Sequence, residues 1–339
     1  MTLQLKHSTL LNWYIIAQAC FFLSLKYDWG KREFLLPCFM ESSVSEQLCK
    51  IFGQKGADFV RKIIKLALDE DEQDLTANGI FDENDKSYGK LIARQDTYVV
   101  GLVLIPAILE ELGVEEPERL YTLKVSEGSY LKDMEIAAEF EMNTALLLKA
   151  ERIILNFITR LSGIANYTKR YLKELEGTGV TLLDTRKTLP GHRYLDKYAV
   201  RAAGAKNHRM TLADMLMVKN NHVDAAGSIA KAVEKLRLKY GEACPPIIVE
   251  CRDKNEVLEA VSVVPQRILL DNMSPEELSG NLPLIPKNIE AEISGGVNLK
   301  TIRTLALSSK IRPADFISVG SITHSAPIAD FSLRVNRLK

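Results

Sequence analysis

The sequence has no excess of either charge, because 44 lysines and arginines balance 44 aspartates and glutamates among its 339 residues. This balance argues against a protein that coats nucleic acid, since such proteins carry a basic excess across a whole domain. The five cysteines are scattered and include no C-x-x-C pair, so neither a disulfide framework nor a zinc site is indicated. Cysteine usage therefore favours a reducing cytoplasm.

Common nucleotide-binding motifs, low-complexity linkers and internal repeats are also missing. The chain contains neither a G-x-G-x-x-G motif nor a P-loop. A composition that is 46% apolar and 26% charged predicts an ordinary soluble chain. Its length allows two domains, or one barrel with an accessory domain.

An apolar stretch at residues 10–25 resists this interpretation, although polar residues interrupt it and it is short for a membrane span. Three explanations stay open. Residues 1–39 are a mis-assigned or dispensable extension that precedes a start at Met40, or they form a packing or interfacial helix, or they direct secretion. We therefore treat residues 1–54 as an N-terminal extension of uncertain status.

After residue 180, short apolar runs alternate with helical stretches at spacings of roughly 20 to 35 residues, which predicts parallel βα units. Each run ends in a polar or small residue. These six end residues are Asp184, Lys219, Glu250, Asp271, Ser294 and Gly320. The carboxyl ends of the strands form the catalytic face of α/β barrels, and an open doubly wound sheet binds ligands at the same ends. Polar residues at so many strand ends favour closure around one pocket.

Residues 55–145 have a different pattern. An amphipathic helix is followed by strand-like segments, among them "TYVVGLV" at residues 97–103, and by one short helix. This pattern predicts an α+β accessory domain. A long helical stretch that begins near Thr144 then leads into the barrel.

Cations are concentrated after the first of the six strands. Between Arg186 and Arg209 the chain has seven lysines or arginines, two histidines and one acid. Converging arginines and lysines bind carboxylates or phosphates, so the cluster predicts a small polyanionic ligand. A solvated loop or salt bridges are the alternative, which we favour for three of the cations: Lys197, Arg201 and Lys206. We expect a site role for Lys219, because it ends a strand that should be buried.

The other strand ends offer acids and small residues. Glu250 and Asp271 end successive strands, where they could bind Mg²⁺ with phosphate, stabilise a positive centre, or form ordinary ion pairs. The small residues at 294–296 and 320–321 could close their backbone N–H groups on a phosphate. Each glycine segment alone is equally typical of a tight turn.

Specific motifs in this region resemble the quinolinate phosphoribosyltransferase family. The resemblance covers roughly residues 60 to 332 and keeps the family's order and spacing. It rests on "EDEQDLT" (70–76), "AERIILNFITRLSGIA" (150–165), "DTRKTLPG" (184–191), "KYAVRAAGAKNHR" (197–209), "VKNNH" (218–222), "VEC" (249–251), "LLDN" (269–272), "EISGGV" (292–297) and "ISVGSITHS" (317–325).

The resemblance implies a fold and a reaction. The fold is an incomplete parallel α/β barrel, expected at 158–324, with an α/β sandwich domain at 55–157 that the C-terminal residues 325–339 join. The reaction joins quinolinate to phosphoribosyl pyrophosphate with Mg²⁺ and releases pyrophosphate and carbon dioxide, giving nicotinate mononucleotide for NAD synthesis. The family's minimal unit is a dimer, and we expect it in the cytoplasm.

The resemblance also implies roles for particular residues. Lys187, Glu250 and Asp271 are the expected catalytic residues, and the two acids should face the ribose and the metal. The expected quinolinate-binding residues are Arg152, Arg186, Lys187, His208, Arg209 and Lys219, with Arg152 reaching in from the partner subunit. The expected phosphate-binding residues are Ser294, Gly295, Gly296, Gly320 and Ser321, with His324 near them.

Four residues depart from the family pattern: Ile153, Ala203, Ala205 and Asn220. None is a predicted ligand, so they bear on the fine geometry of the pocket. Two alternatives remain. The chain could be a same-fold relative with another substrate, such as the molybdenum-transport-associated homologue or a nicotinate-using transferase. It could also be a non-catalytic phosphosugar-binding protein. The full cation set argues against the first alternative, and the presence of both Glu250 and Asp271 argues against the second.

Overall fold

The computed structural model describes residues 43–337. In it, the first part of the chain forms an antiparallel sheet flanked by helices. The elements of this part are α1 (Val44–Glu70), α2 (Leu75–Ile80), β1 (Lys86–Ala93), β2 (Thr97–Tyr98), α3 (Ile105–Glu111), β3 (Tyr121–Leu123), β4 (Tyr130–Leu131), β5 (Ile136–Asn143) and α4 (Thr144–Leu175). Two 3₁₀ turns, Leu102–Leu104 and Pro117–Arg119, flank α3. The apolar stretch at residues 10–25 lies outside the described residues.

One edge strand of the four-stranded antiparallel sheet comes from the C-terminal part of the chain. This strand, β12 (Phe331–Arg337), pairs with β1, and the strand order is β12-β1-β5-β3. Buried residues alternate along β1 as far as Leu91, and its last three residues are all buried. Alternation is typical of a sheet with one face on a core and the other towards solvent.

The segment 97–103 was predicted to be a strand, and this prediction was wrong beyond Tyr98. The N–H of Val99 still donates to the carbonyl of Ser129, but side chains accept the N–H groups that follow: Val100 donates to Ser162 Oγ at 2.9 Å, and Val103 donates to Glu127. Gly101 adopts φ of 115°, which turns the chain into the 3₁₀ turn. The apolar residues are buried as predicted, but in a turn.

The second part of the chain forms a six-stranded parallel sheet. Its strands are β6 (Thr181–Leu183), β7 (Leu216–Val218), β8 (Ile247–Cys251), β9 (Arg267–Asp271), β10 (Glu290–Ser294) and β11 (Phe316–Ser318), in the order β6-β11-β10-β9-β8-β7. All five residues of β8 are buried, as in parallel sheets that are covered on both faces. Within the described chain, β6 and β7 are not paired with each other, so the sheet stays open between them.

Helices follow most of these strands. They are α5 (Arg193–Ala202), α6 (Asn220–Ala226), α7 (Ile229–Tyr240), α8 (Lys254–Ser262), α9 (Pro275–Asn281), α10 (Ile302–Ala306) and α11 (Ser321–His324), with 3₁₀ turns at Gly241–Ala243 and Leu282–Leu284. Local sequence explains their starts. Before α9, Ser274 accepts from the N–H of Glu277 while the Glu277 side chain accepts from the N–H of Ser274, a reciprocal capping box.

The helix α4 connects the two sheets. Asn143 caps its N-terminus by accepting from the N–H of Leu146 at 3.0 Å. The helix contacts β1, β5 and β12 of the antiparallel sheet, and it also packs on α5 and β6. The predicted α/β class, with a parallel sheet and a separate antiparallel sheet, is confirmed, whereas the predicted domain boundaries stay a prediction. No helix in residues 43–337 combines the length and apolar character needed to cross a membrane.

Candidate functional site

A lysine and a glutamate meet at the carboxyl ends of β7 and β8. Lys219 follows β7 directly, and its Nζ lies 2.8 Å from Oε2 of Glu250, the fourth residue of β8. Glu250 is buried, but about half of the Lys219 side chain is exposed. The pair is therefore open on the lysine side.

The charges of this pair affect the pKa of Asp271, at the end of β9. Burial raises the pKa of Asp271, and the negative charge of Glu250 raises it further, while Lys219 and Lys187 act in the opposite direction. The strands β7, β8 and β9 are neighbours in the parallel sheet, so Lys219, Glu250 and Asp271 lie at the same edge of it. Residues from the ends of β7, β8 and β9 thus share one region with Lys187, from the loop after β6.

Gly320 brings the loop after β11 to the same region. A β-carbon at this position would lie 3.0 Å from Cδ of Lys187 and 3.3 Å from the ring of His324. Gly320 has an ordinary backbone conformation, with φ of −73°. Its small size, and not its conformational freedom, therefore lets Lys187 approach.

The loop at 294–296 packs tightly on the residue after Asp271. A β-carbon on Gly295 would lie 2.6 Å from the backbone nitrogen of Asn272, and Gly295 and Gly296 both adopt positive φ. The N–H of Asn272 donates to the carbonyl of Ser294 at 2.8 Å, and Ser318 donates to Oγ of Ser294 at 3.0 Å. Asn272, for which the sequence predicts no role, is also strained at φ of 58°.

Two arginines, Arg186 and Arg209, lie close enough for their charges to repel each other. Burial lowers the pKa of Arg209, and the positive charge of Arg186 lowers it further, while the negative charge of Asp214 acts in the opposite direction. Arg209 donates to the carbonyl of Met215 at 2.7 Å. The buried Nε of Arg186 has no hydrogen-bond partner among the described residues. Two like charges held close together, one of them with an unpartnered Nε, are suited to binding an anion.

The side chain of His208 contacts a buried acid, Glu292. Its Nε2 lies 3.3 Å from Oε2 of Glu292 on β10, and the same oxygen accepts from Nη1 of Arg267 at 2.8 Å. Burial alone would raise the pKa of Glu292, but His208 and Arg267 hold it below its ordinary value. Glu292 is not among the residues predicted from the sequence, although an acid in the middle of an apolar strand run is a usable signal.

The backbone of His208 is clamped by a buried ion pair. Lys197 pairs with Asp184, and both side chains are almost inaccessible to solvent. Asp184 accepts from the N–H of His208 at 2.8 Å, and Lys197 donates to its carbonyl at 2.9 Å. The salt-bridge interpretation of Lys197 is confirmed. Arg201 donates to a backbone carbonyl, that of Ile51, at 2.8 Å.

Arg152 lies apart from this cluster. It is exposed on α4 beside Glu151, and no contact joins it to the strand-end residues described here. Three of the four departures from the family pattern, Ile153, Ala203 and Ala205, are buried in the core. The fourth, Asn220, has a buried Oδ1 with no hydrogen-bond partner in the described part of the chain.

A separate cavity of about 760 Å³ lies on the C-terminal half of α4 and includes none of the strand-end residues. In residues 43–337, no group of three or more histidines, cysteines or acids forms a metal cluster. The two neighbouring carboxylates, Glu250 and Asp271, are compatible with Mg²⁺ that takes its other ligands from substrate phosphates and water.

The chain is similar to known proteins along most of its length. Residues 74–162 match the N-terminal domain of quinolinate phosphoribosyl transferase, and residues 164–334 match its C-terminal domain. The probable carboxylating nicotinate-nucleotide pyrophosphorylase of Bacillus subtilis is 36% identical over 262 residues, 77% of this chain and 88% of that protein. The chloroplastic carboxylating nicotinate-nucleotide pyrophosphorylase of Arabidopsis thaliana is 34% identical over 299 residues, 82% and 83% of the two chains.

A solved structure is also similar. The crystal structure of NadC from Streptococcus pyogenes superposes with a TM-score of 0.75 at 32% identity, covering 82% of this chain and 96% of that one. Two domain matches in chain order, with this identity over most of both chains, show that the chain belongs to the quinolinate phosphoribosyltransferase family.

Proposed function

We propose that this protein transfers the phosphoribosyl group of phosphoribosyl pyrophosphate to quinolinate, with decarboxylation, in the synthesis of NAD. The products are nicotinate mononucleotide, pyrophosphate and carbon dioxide. The observation that supports this most is the charge arrangement, in which Arg186 and Arg209 repel each other and the buried Nε of Arg186 has no hydrogen-bond partner among the described residues. Family membership supports the same reaction.

The cations account for recognition of quinolinate, which is a dianion. We assign its two carboxylates to Arg186, Arg209 and His208. Lys187 and Lys219 add further positive charge, and together these five residues form a positive wall of the site. A hydrogen bond to a charged group contributes about 1.5–3 kcal/mol, so several of them can offset the repulsion between the two arginines. Nicotinate has one carboxylate and would leave part of this wall unpaired.

The acids account for the transfer step. When pyrophosphate leaves with the electron pair of its bond to the sugar, positive character develops at C1 of the ribose. Glu250 and Asp271 stabilise that charge as preorganised carboxylates. The pyridine nitrogen then forms the new bond to C1, which makes the ring cationic. The ring can therefore hold the electron pair left when the adjacent carboxylate departs as carbon dioxide, before that ring carbon takes a proton.

We also propose Mg²⁺, a homodimer or higher homo-oligomer, and a cytoplasmic location. Glu250 and Asp271 would hold the metal, which would neutralise the pyrophosphate leaving group. The exposed position of Arg152 suits a side chain that reaches into the site of a partner subunit. Phosphate binding is assigned to Ser294, Gly295, Gly296, Gly320 and Ser321, with His324 beside them.

Turnover with product identification tests the proposal. Purified protein supplied with quinolinate, phosphoribosyl pyrophosphate and Mg²⁺ should release carbon dioxide and form nicotinate mononucleotide in equal amounts. Nicotinate in place of quinolinate serves as the control and should give little product. Absence of both products, or better turnover of nicotinate, would contradict the assignment.

A further inference from the structure

Tyr171 connects α4 to the proposed phosphate-binding end of the parallel sheet. Its side chain is fully buried, and its hydroxyl lies 3.1 Å from Oγ of Ser321. The two residues are 150 positions apart in the chain, so the contact fixes α4 against the loop after β11. Ser321 directly follows Gly320, the residue on which Lys187 and His324 pack.

The chemistry of a bound phosphate decides which hydroxyl donates in this contact. Each hydroxyl has one proton and can accept through two lone pairs. The oxygens of an ionised phosphate only accept, so a serine that binds phosphate must direct its proton towards it. Ser321 then has only lone pairs for Tyr171, and Tyr171 must be the donor.

Tyr167 offers Tyr171 a competing acceptor. Their hydroxyl oxygens are 3.4 Å apart, a longer contact than the one between Tyr171 and Ser321. Their rings meet edge to face, with centroids 5.1 Å apart. Burial raises the pKa of Tyr171 to about 12, so its hydroxyl keeps the proton that it donates.

We propose that Tyr171 is a positioning residue, which donates its hydroxyl proton to Ser321 and thereby directs the Ser321 proton towards a phosphate of phosphoribosyl pyrophosphate. A hydroxyl that accepts one hydrogen bond becomes a better donor in the next, so the contact also strengthens phosphate binding. The inference rests on the proposed function, because it takes Ser321 to be a phosphate ligand.

The variant Tyr171→Phe tests this role, since it removes the hydroxyl and keeps the buried ring. We expect the KM for phosphoribosyl pyrophosphate to rise about three- to tenfold, the effect of one hydrogen bond. The KM for quinolinate and the midpoint of thermal unfolding should stay close to those of the wild type. Tyr167→Phe is the matched control, and it should change neither KM by more than about twofold.

A double-mutant cycle with Ser321→Ala separates positioning from a structural role. If Tyr171 acts through Ser321, adding Tyr171→Phe to Ser321→Ala should leave the KM for phosphoribosyl pyrophosphate unchanged. Additive effects, or an equal rise in both KM values, would overturn the inference. A wild-type protein without turnover would remove the proposed function itself, whereas an active wild type matched by Tyr171→Phe would remove only this inference.

Discussion

The antiparallel sheet and the carboxyl ends of the parallel sheet arrange their charged side chains in opposite ways. On the antiparallel sheet, Glu139 of β5 lies between two lysines, with Lys124 at 2.5 Å and Lys90 at 3.8 Å. Beside the parallel sheet, Arg186 and Arg209 repel each other, and the Nε of Arg186 has no partner among the described residues. Glu139 and its lysines pair with one another, while the two arginines share a single nearby acid among the described residues, Asp214, and so keep an excess of positive charge.

This difference separates charges that support the fold from charges that serve a ligand. Uncompensated charge lowers stability and persists where function needs it. A charged residue in the parallel-sheet region does not, however, belong to the site automatically. Asp184 and Lys197 neutralise each other in the core, directly beneath the backbone of His208. Whether a charged residue serves the fold or a ligand therefore depends on whether it has an oppositely charged partner.

The largest expected effect on stability is the loss of this buried pair. Lys197→Met would leave the Asp184 carboxylate buried without its counter-ion, although Asn207 and the N–H of His208 would still donate to it. We expect the free energy of unfolding to fall by about 3–5 kcal/mol, as measured by urea unfolding. Lys124→Met removes an exposed lysine from Glu139, which keeps Lys90 nearby, and should lower it by less than about 1 kcal/mol. Equal losses in the two variants would erase the distinction between the two regions.

The next effect concerns activity. Lys219→Ala removes the cation at 2.8 Å from Glu250 and leaves that buried acid beside Asp271 without its lysine. We expect kcat/KM to fall on the order of a hundredfold or more, measured as carbon dioxide release. Lys235→Ala, at an exposed position on α7, is the control and should keep wild-type activity. Activity of Lys219→Ala near that of the control would remove Lys219 from the site.

The sequence predicted where the strands end better than it predicted which charges pair. Every one of the six predicted strand runs is a strand, because a polar residue at the end of an apolar run marks the edge of a buried layer. Pairing depends on which side chains the fold brings within reach. Several cations lie near Asp184 in the sequence. Only the fold, which places Lys197 of α5 next to Asp184, shows which of them pairs with it.

Hydrogen bonds to side chains explain the other misses. The segment 97–103 has the composition of a strand, but Ser162 and Glu127, distant in sequence, take its N–H groups. The contact between Tyr171 and Ser321 spans 150 residues and has no local signal at all. Such partners become visible only when the packing of α4 against both sheets is known.

Glu127 differs from the acids in both regions, because it accepts hydrogen bonds from backbone N–H groups and does not pair with a cation in the described part of the chain. It accepts from Gly101 and Val103, yet burial raises the pKa of Glu127 to about 7 from an ordinary value of 4.5. Between these values the folded protein binds more protons than the unfolded chain. The stability contribution of Glu127 is therefore complete at low pH and is lost as the pH rises to about 7.

The corresponding variant is Glu127→Gln, which cannot titrate. Its free energy of unfolding should depend less on pH between pH 4.5 and 7 than that of the wild type, as measured by urea unfolding across this window. All other titrating groups are common to both proteins, so the difference in slope isolates Glu127. Identical slopes would mean that Glu127 titrates normally in the folded protein.

The smallest expected effect is the most direct test of the comparison, because it concerns the sign of a change in stability. Arg186→Gln removes a positive charge that repels Arg209, so the ligand-free protein should become more stable by up to about 1 kcal/mol while the KM for quinolinate rises. Lys124→Gln removes a positive charge that pairs with Glu139, so it should destabilise by a similar amount without changing either KM. Thermal unfolding without substrate, beside steady-state kinetics, measures both. If Arg186→Gln were also destabilising, Arg186 would be contributing to the fold, and unpaired charge would no longer distinguish the ligand-binding region from the antiparallel sheet.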